Sequence, residues 1–272
     1  MAISGVSLTA SSRANLIALQ NTADLLGITQ ERLSTGKKVN SAIDNASSFF
    51  KSQSFIQRAS DLNDLKDGLS TSLQTVKAAS NAIDGITKIV QQLQGLANSA
   101  LQTTDSTSRT TLATQFNTLR DQLDALVNDA TFNGVNLLKS TGSLVVKFNE
   151  TNTSTLTIAG VDLSSSGLSV GAAASGFAAD SNINTAISEL STALTTLRTN
   201  ASTFGTNATL IQTRADFTKA LANVLQSASD SLVLADTNEE GANLQALQAR
   251  AQLGITALSI SGQQQSAILK LF

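Results

Sequence analysis

The sequence predicts a mostly α chain: a long antiparallel, coiled-coil-like helical rod, with paired N- and C-terminal helices and one small β-hairpin. Three observations lead there. Apolar residues recur at alternating steps of three and four over two long stretches, the mark of helices packed along one another. The 272 residues include no proline, so nothing removes a helical N–H or forces a kink. Between the long stretches lies a short region of β-branched runs separated by polar turns.

The first stretch carries Leu16, Leu19, Ala23, Leu26, Gln30 and Leu33 at the 3-4 spacing. It ends at Ser34-Thr35-Gly36, where glycine can take the left-handed conformation that closes a helix. The second runs from Ala46 to Leu101, with Asp44 or Asn45 as its cap. Leu62, Leu65, Leu69, Val76, Ile83, Ile86, Val90 and Leu93 hold the spacing. At ~1.5 Å per residue such a helix is roughly 84 Å long, a length suited to a rod. Asp105 or Ser106 caps a third stretch through Leu112, Phe116, Leu119, Leu123 and Leu126, which stops at the turn signal Asn133-Gly134.

Residues 144–148 and 155–158 are short and β-branched, and the polar loop 149–154 joins them into a hairpin. The Ser-, Gly- and Ala-rich segments 164–169 and 171–176 read as a surface connector. Helical spacing resumes at Ile183 and runs through Leu190, Leu194, Leu197, Phe204 and Ile211 to Leu232. This helix is expected to pair antiparallel with the second, with the third beside them. The last stretch, 242–272, differs. Leu244, Leu247, Leu253, Ile255, Leu258, Ile260, Ile268, Leu271 and Phe272 cover more than one helical face. A helix apolar on several faces must be buried on several faces, and the first stretch alone cannot cover it. Other copies of the chain can.

Composition removes several classes of function. Net charge is −2, only 14% of residues are charged, and no block of like charge marks a nucleic-acid arm or membrane anchor. No apolar run is long enough to span a membrane. With no His and no Cys, the commonest general base, the commonest metal ligand and any thiolate site are absent, so no cofactor is expected. Ser34-Thr-Gly-Lys-Lys faintly suggests a phosphate loop, but Glu31 stands where its first glycine belongs. Glu239-Glu240 lies at a helix start, where acids favour the dipole. Phe49, Phe50 and Phe55 are expected to pack beneath the turn or against a neighbour. Asn149 and Asn152 head Asn-x-Thr/Ser sequons of the kind a chain rich in Asn and Thr contains by chance.

Asn15-Leu-Ile-Ala-Leu19, with Gln30-Glu-Arg-Leu-Ser-Thr-Gly-Lys-Lys-Val-Asn-Ser-Ala-Ile-Asp-Asn-Ala46, resembles the amino-terminal signature of bacterial flagellins. Thr131-Phe-Asn-Gly-Val-Asn-Leu137 resembles their turn after the third helix. Ala242-Asn-Leu-Gln-Ala-Leu-Gln248 and Ile268-Leu-Lys-Leu-Phe272 resemble their terminal helix. The style is that of alphaproteobacterial members, in a minimal form without large outer domains. The resemblance implies a structural subunit, not an enzyme, that self-assembles into a hollow helical filament for motility. It also implies export through the flagellar type III apparatus without a cleaved signal, with a secretion chaperone, filament cap and hook-associated proteins as partners. The family's alternatives are a hook–filament junction protein or, outside it, a coiled-coil binding module or adhesin.

On this reading 1–45 and 232–272 form the filament core, 46–137 and 181–231 the rod, and 138–180 a hairpin with a variable connector. The immune-receptor patch that some relatives carry falls on Gln92, Leu93, Gln94 and Gly95, with Gln115 nearby. Its charged residues are replaced here, so weak or no recognition by a Toll-like receptor is expected.

Overall fold

The computed structural model describes residues 10–269. Within them the chain forms α1 (Ala10–Thr35), α2 (Ala42–Gln102), α3 (Ser106–Asp129), β1 (Ser143–Lys147), β2 (Thr155–Ala159), α4 (Asp180–Val233) and α5 (Thr237–Leu269). It divides into two compact units, Met1–Arg58 with Val224–Phe272, and Ala59–Asn223.

The unit of residues 59–223 has a continuous apolar core. From α2 it takes Leu69, Val76, Ile83, Ile86, Val90 and Leu93, with Leu65 partly buried against them. From α4 it takes Leu190, Leu194, Leu197, Phe204 and Ile211, and from α3 Phe116, Leu123 and Val127. Each such side chain, fully buried, is worth about 1.5–3 kcal/mol. The seam positions are those of the 3-4 spacing, because only that stripe of each helix faces its neighbours. Asp105 caps α3 by accepting from the Ser108 N–H at 2.7 Å. The exposed face of α4 is rich in threonine. Thr192, Thr199, Thr203, Thr206 and Thr213 each donate their hydroxyl to the carbonyl four residues earlier.

After α3 the chain reverses at Asn133 and Gly134, both left-handed at φ 49° and 78°. Phe132 and Val135 exchange two backbone hydrogen bonds of 2.9 Å across this turn. β1 and β2 then pair antiparallel, with Leu144 opposite Ile158 and Val146 opposite Leu156. Val146 and Ile158 enter the core and Val145 faces out, as strand alternation requires. The Asn149 side chain organises the loop. Its oxygen accepts from the Ser154 N–H at 3.0 Å, and its amide donates to the hydroxyls of Thr151 and Thr153 at 3.0 and 2.6 Å.

The segment after the hairpin departs from the surface connector that its composition predicts. Leu163, Leu168, Val170, Ala173 and Phe177 are all buried. One face of α3 holds the segment down. The Asp124 carboxylate accepts from the Ser165 N–H and hydroxyl, both at 2.7 Å, and Asn117 Oδ1 accepts from the Ala173 N–H at 2.9 Å. Arg120 Nε donates to the Val170 carbonyl at 3.0 Å. The buried guanidinium of Arg109 donates to the carbonyls of Thr103 and Ala178 and to the Asp180 carboxylate, at 2.7, 3.2 and 2.5 Å. Ser175, Gly176 and Phe177 turn left-handed in succession. That conformation costs a non-glycine residue roughly 1–2 kcal/mol. It is offset by burying the Phe177 ring edge-on against Phe116, with centroids 5.3 Å apart.

Truncating Phe116 to Ala removes both the core ring and the partner of Phe177. It should lower stability by about 3–5 kcal/mol in urea unfolding followed by helix circular dichroism. A loss under about 1 kcal/mol would mean that the connector is not held by this stack.

Candidate functional site

The other unit brings the first and last described helices together. α1 and α5 lie antiparallel. The hydroxyls of Ser12 and Ser261 meet at 2.7 Å at one end, and Arg32 Nη1 donates to Glu240 Oε1 at 3.0 Å at the other. Between them the half-buried positions form a seam. α1 supplies Asn15, Leu19, Thr22 and Leu26, and α5 supplies Leu244, Leu247, Ala251, Gly254 and Leu258. A Cβ on Gly254 would lie 3.1 Å from Leu19 Cδ1, so the glycine is the notch that admits this leucine.

The seam is thin. Across α1 the fully buried residues are Ser12 and Thr29, and on α5, through residue 267, the fully buried residue is Glu240. No apolar side chain among those described on either helix is fully covered. Leu16, Ile17, Leu25, Ile28 and Leu33 face outward from α1. From α5, Leu253 is 70% exposed, Ile255 57% and Ile260 51%.

This placement corrects the single apolar stripe expected on the first helix. Leu19 and Leu26 enter the seam, while Leu16 and Leu33 turn away from it. On α5, Leu244, Leu247 and Leu258 enter, and Leu253, Ile255 and Ile260 do not. Both helices are apolar on more than one face, so periodicity alone cannot choose the face that meets the partner. Ile268 belongs to α5, and Leu271 and Phe272 lie outside the described residues.

The segments that lead into and out of this pair are tied by backbone bonds. Gly36 is left-handed at φ 70°, and its carbonyl accepts from the Ala235 N–H at 2.9 Å. The Lys38 N–H donates to the Val233 carbonyl at 2.7 Å, and Lys38 Nζ to the Ser231 carbonyl at 3.1 Å. The Gly-Lys-Lys run is therefore a turn paired with the α4–α5 link. Nearby the buried hydroxyls of Ser52 and Ser229 meet at 2.8 Å. Asn45, extended at φ −162° and ψ 98°, caps the regular part of α2 by accepting from the Ser48 N–H at 2.9 Å. Asp44 reaches back instead and accepts from the N–H groups of Asn40 and Ser41, each at 2.9 Å. Those bonds, Ser41 first and then Asn40, hold its carboxyl below the ordinary value of 3.8. Asp236 caps α5 through the Asn238 N–H at 2.9 Å. Phe49 and Phe50 meet edge-on at 5.6 Å, with Phe50 exposed, and Lys51 lies 5.8 Å above the Phe55 ring.

The receptor-patch positions lie in the other unit. Gln92, Gly95 and Gln115 are exposed, and Gln94 Nε2 donates to the Ser191 hydroxyl at 3.4 Å. Leu93, expected in that patch, is fully buried in the core, because it occupies a seam position of α2. Among the described residues no group of three or more His, Cys, Asp or Glu side chains is placed to hold a metal. No described helix is long and apolar enough to cross a membrane.

Residues 6–143 match the family described as the bacterial flagellin N-terminal helical region, and residues 182–272 match its C-terminal helical region. Flagellin FljO of Caulobacter vibrioides is 33% identical over 261 residues, covering 94% of this chain and 95% of that protein. Flagellin of Brucella melitensis is 27% identical over 268 residues, with coverage of 94% and 95%. The fold resembles the crystal structure of Bacillus cereus flagellin with a TM-score of 0.50 at 19% identity, covering 56% of this chain and 88% of that one.

Asp44 generates a pH prediction. Its folded-state pKa is depressed, so its contribution to stability is present above 3.8 and lost as pH falls through the lower folded value. Acid titration of helix content should show a larger loss in the unaltered chain than in Asp44→Asn, which keeps only the loss due to Asp105, the α3 cap whose carboxyl pKa the Ser108 hydrogen bonds also lower. Parallel curves would mean that the two N–H bonds do not persist in solution.

Proposed function

This chain belongs to the bacterial flagellin family, and from that premise we propose how its two ends build a filament. The chain is a structural subunit of the flagellar filament, not an enzyme. The observation that carries the proposal is that α1 and α5 fully bury only Ser12, Thr29 and Glu240 among the described side chains. A helix pair without an apolar core of its own is marginal in water. The outward leucines and isoleucines supply the missing burial when other copies pack against them.

In this reading 1–45 and 232–272 form the inner tube, 46–137 with 181–231 the layer outside it, and 138–180 the outermost surface. With so little chain beyond the helices, the filament is thin and smooth. The subunit leaves the cell through the flagellar export apparatus. A secretion chaperone, the filament cap and hook-associated proteins are its other partners. Receptor recognition is weak because Gln92, Gln94, Gly95 and Gln115 offer no charge-assisted contacts, which are the stronger class of hydrogen bond.

The test is electron microscopy and sedimentation of the purified chain after seeding or salting-out. Hollow filaments should form, with helix gained on assembly by circular dichroism. Leu253→Asp should block assembly while leaving unfolding of the 59–223 unit unchanged, since it places a charge in a face that assembly buries. Persistent monomers of the unaltered chain with ordered ends would overturn the proposal. The receptor reading has its own check: the pure protein should give little activation of receptor-bearing cells, and strong activation would refute it.

A further inference from the structure

We infer that Arg32 and Glu240 are positioning residues that select the register in which α1 and α5 pair, and so the set of side chains the pair presents outward. The inference rests on the filament reading for its consequence, but its geometry stands within one unit.

The apolar content of the seam does not define a register. Leu19 and Leu26, the two seam leucines of α1, stand seven residues apart. Gly254 is open space apart from Leu19, so a slip of one heptad would seat Leu26 in the same notch. Leu247, now level with Leu26, would be equally well served by another leucine. Apolar packing is non-directional and tolerates such exchanges.

The polar ends do not tolerate them. In the observed register Arg32 meets Glu240 at 3.0 Å, and the glutamate side chain keeps only 10% of its exposure. A one-heptad slip in one direction sets Arg32 level with Leu247 and Leu19 level with Ser261. The opposite slip sets Leu26 level with Glu240 and Leu19 level with Leu247. Each separates the buried carboxylate from its cation, leaving an uncompensated buried charge that is strongly disfavoured. Each also breaks the backbone bonds that join Gly36 to Ala235 and Lys38 to Val233 beside the pair. The best-attested use of such buried polar groups is the choice of register in helix pairs that hydrophobic contact leaves degenerate. At the far end the hydroxyls of Ser12 and Ser261, 2.7 Å apart, come together only in this register. Arg32 and Asp44 line the same cleft. Of the other acids near it, Glu239 and Asp236 line the open cleft that Arg32 and Glu240 share.

The chain has no cysteine, so a register reporter can be introduced cleanly. Ser12→Cys with Ser261→Cys should form an intramolecular disulfide in the otherwise unaltered full chain under mild oxidation. Adding Glu240→Arg, or Arg32→Glu, should lower the cross-link yield about tenfold, the scale of a broken close pair. The exchanged pair Arg32→Glu with Glu240→Arg should restore both the cross-link and filament assembly. Equal yields in all variants, or failure of the exchange to rescue either single change, would overturn the inference. Assembly of the unaltered chain is scored separately. If it polymerises and the charge changes have no effect, the register inference fails and the filament reading stands. If it stays monomeric while the cross-link follows the charges, the filament reading fails and the register inference stands.

Discussion

A helix can hide its apolar side chains only against surface within reach, and α1 and α5 carry more than they cover for each other. Their shared seam is lined by Ser12, Thr22, Thr29, Gly254 and Ser261 as much as by leucine. Leu16, Ile17, Leu25, Ile28, Leu33, Leu253, Ile255 and Ile260 point away. Much else about this unit follows from that imbalance. The pair needs polar contacts to hold it in one arrangement, and backbone bonds from Gly36 and Lys38 to tether it to the α4–α5 link. It also leaves apolar surface free for further chains to cover.

The 59–223 unit obeys the opposite rule. Its helices cover their own seams, from Leu69 to Leu93 on α2 and from Leu190 to Ile211 on α4, and its loops are held by side chains rather than left free. Arg109, Asn117, Arg120 and Asp124 follow one another along α3, and each ends on the backbone or side chains of the segment beyond the hairpin. A unit closed in this way covers its own apolar surface, while the other leaves leucines and isoleucines exposed. One part that closes its own core and one that does not suit a subunit that polymerises.

The helices and the hairpin are legible in the sequence because their signals are local. The 3-4 spacing names Val76, Ile83 and Leu197 as core, and Asn133-Gly134 names the turn. What is not legible depends on partners distant in the chain. The burial of Leu163, Leu168 and Val170 needs Asp124 and Arg120 beside them, and nothing in a Ser-Gly run announces that. The choice between Leu16 and Leu19 as seam residues needs the position of Gly254, a residue 235 places beyond Leu19 in a chain of 272. Leu93 could be read as part of an exposed patch because adjacent residues on a helix share sequence but not a face.

The threonines of α4 carry one more implication. Thr192, Thr199, Thr203, Thr206 and Thr213 already give their hydroxyl protons to their own backbone. What they offer the solvent is a methyl group and an acceptor oxygen, with no free hydroxyl donor. Another surface laid on this face would displace water without stranding a donor. Such a helix stays wettable when alone and dries readily when crowded, a property that neither a charged face nor a leucine face could provide.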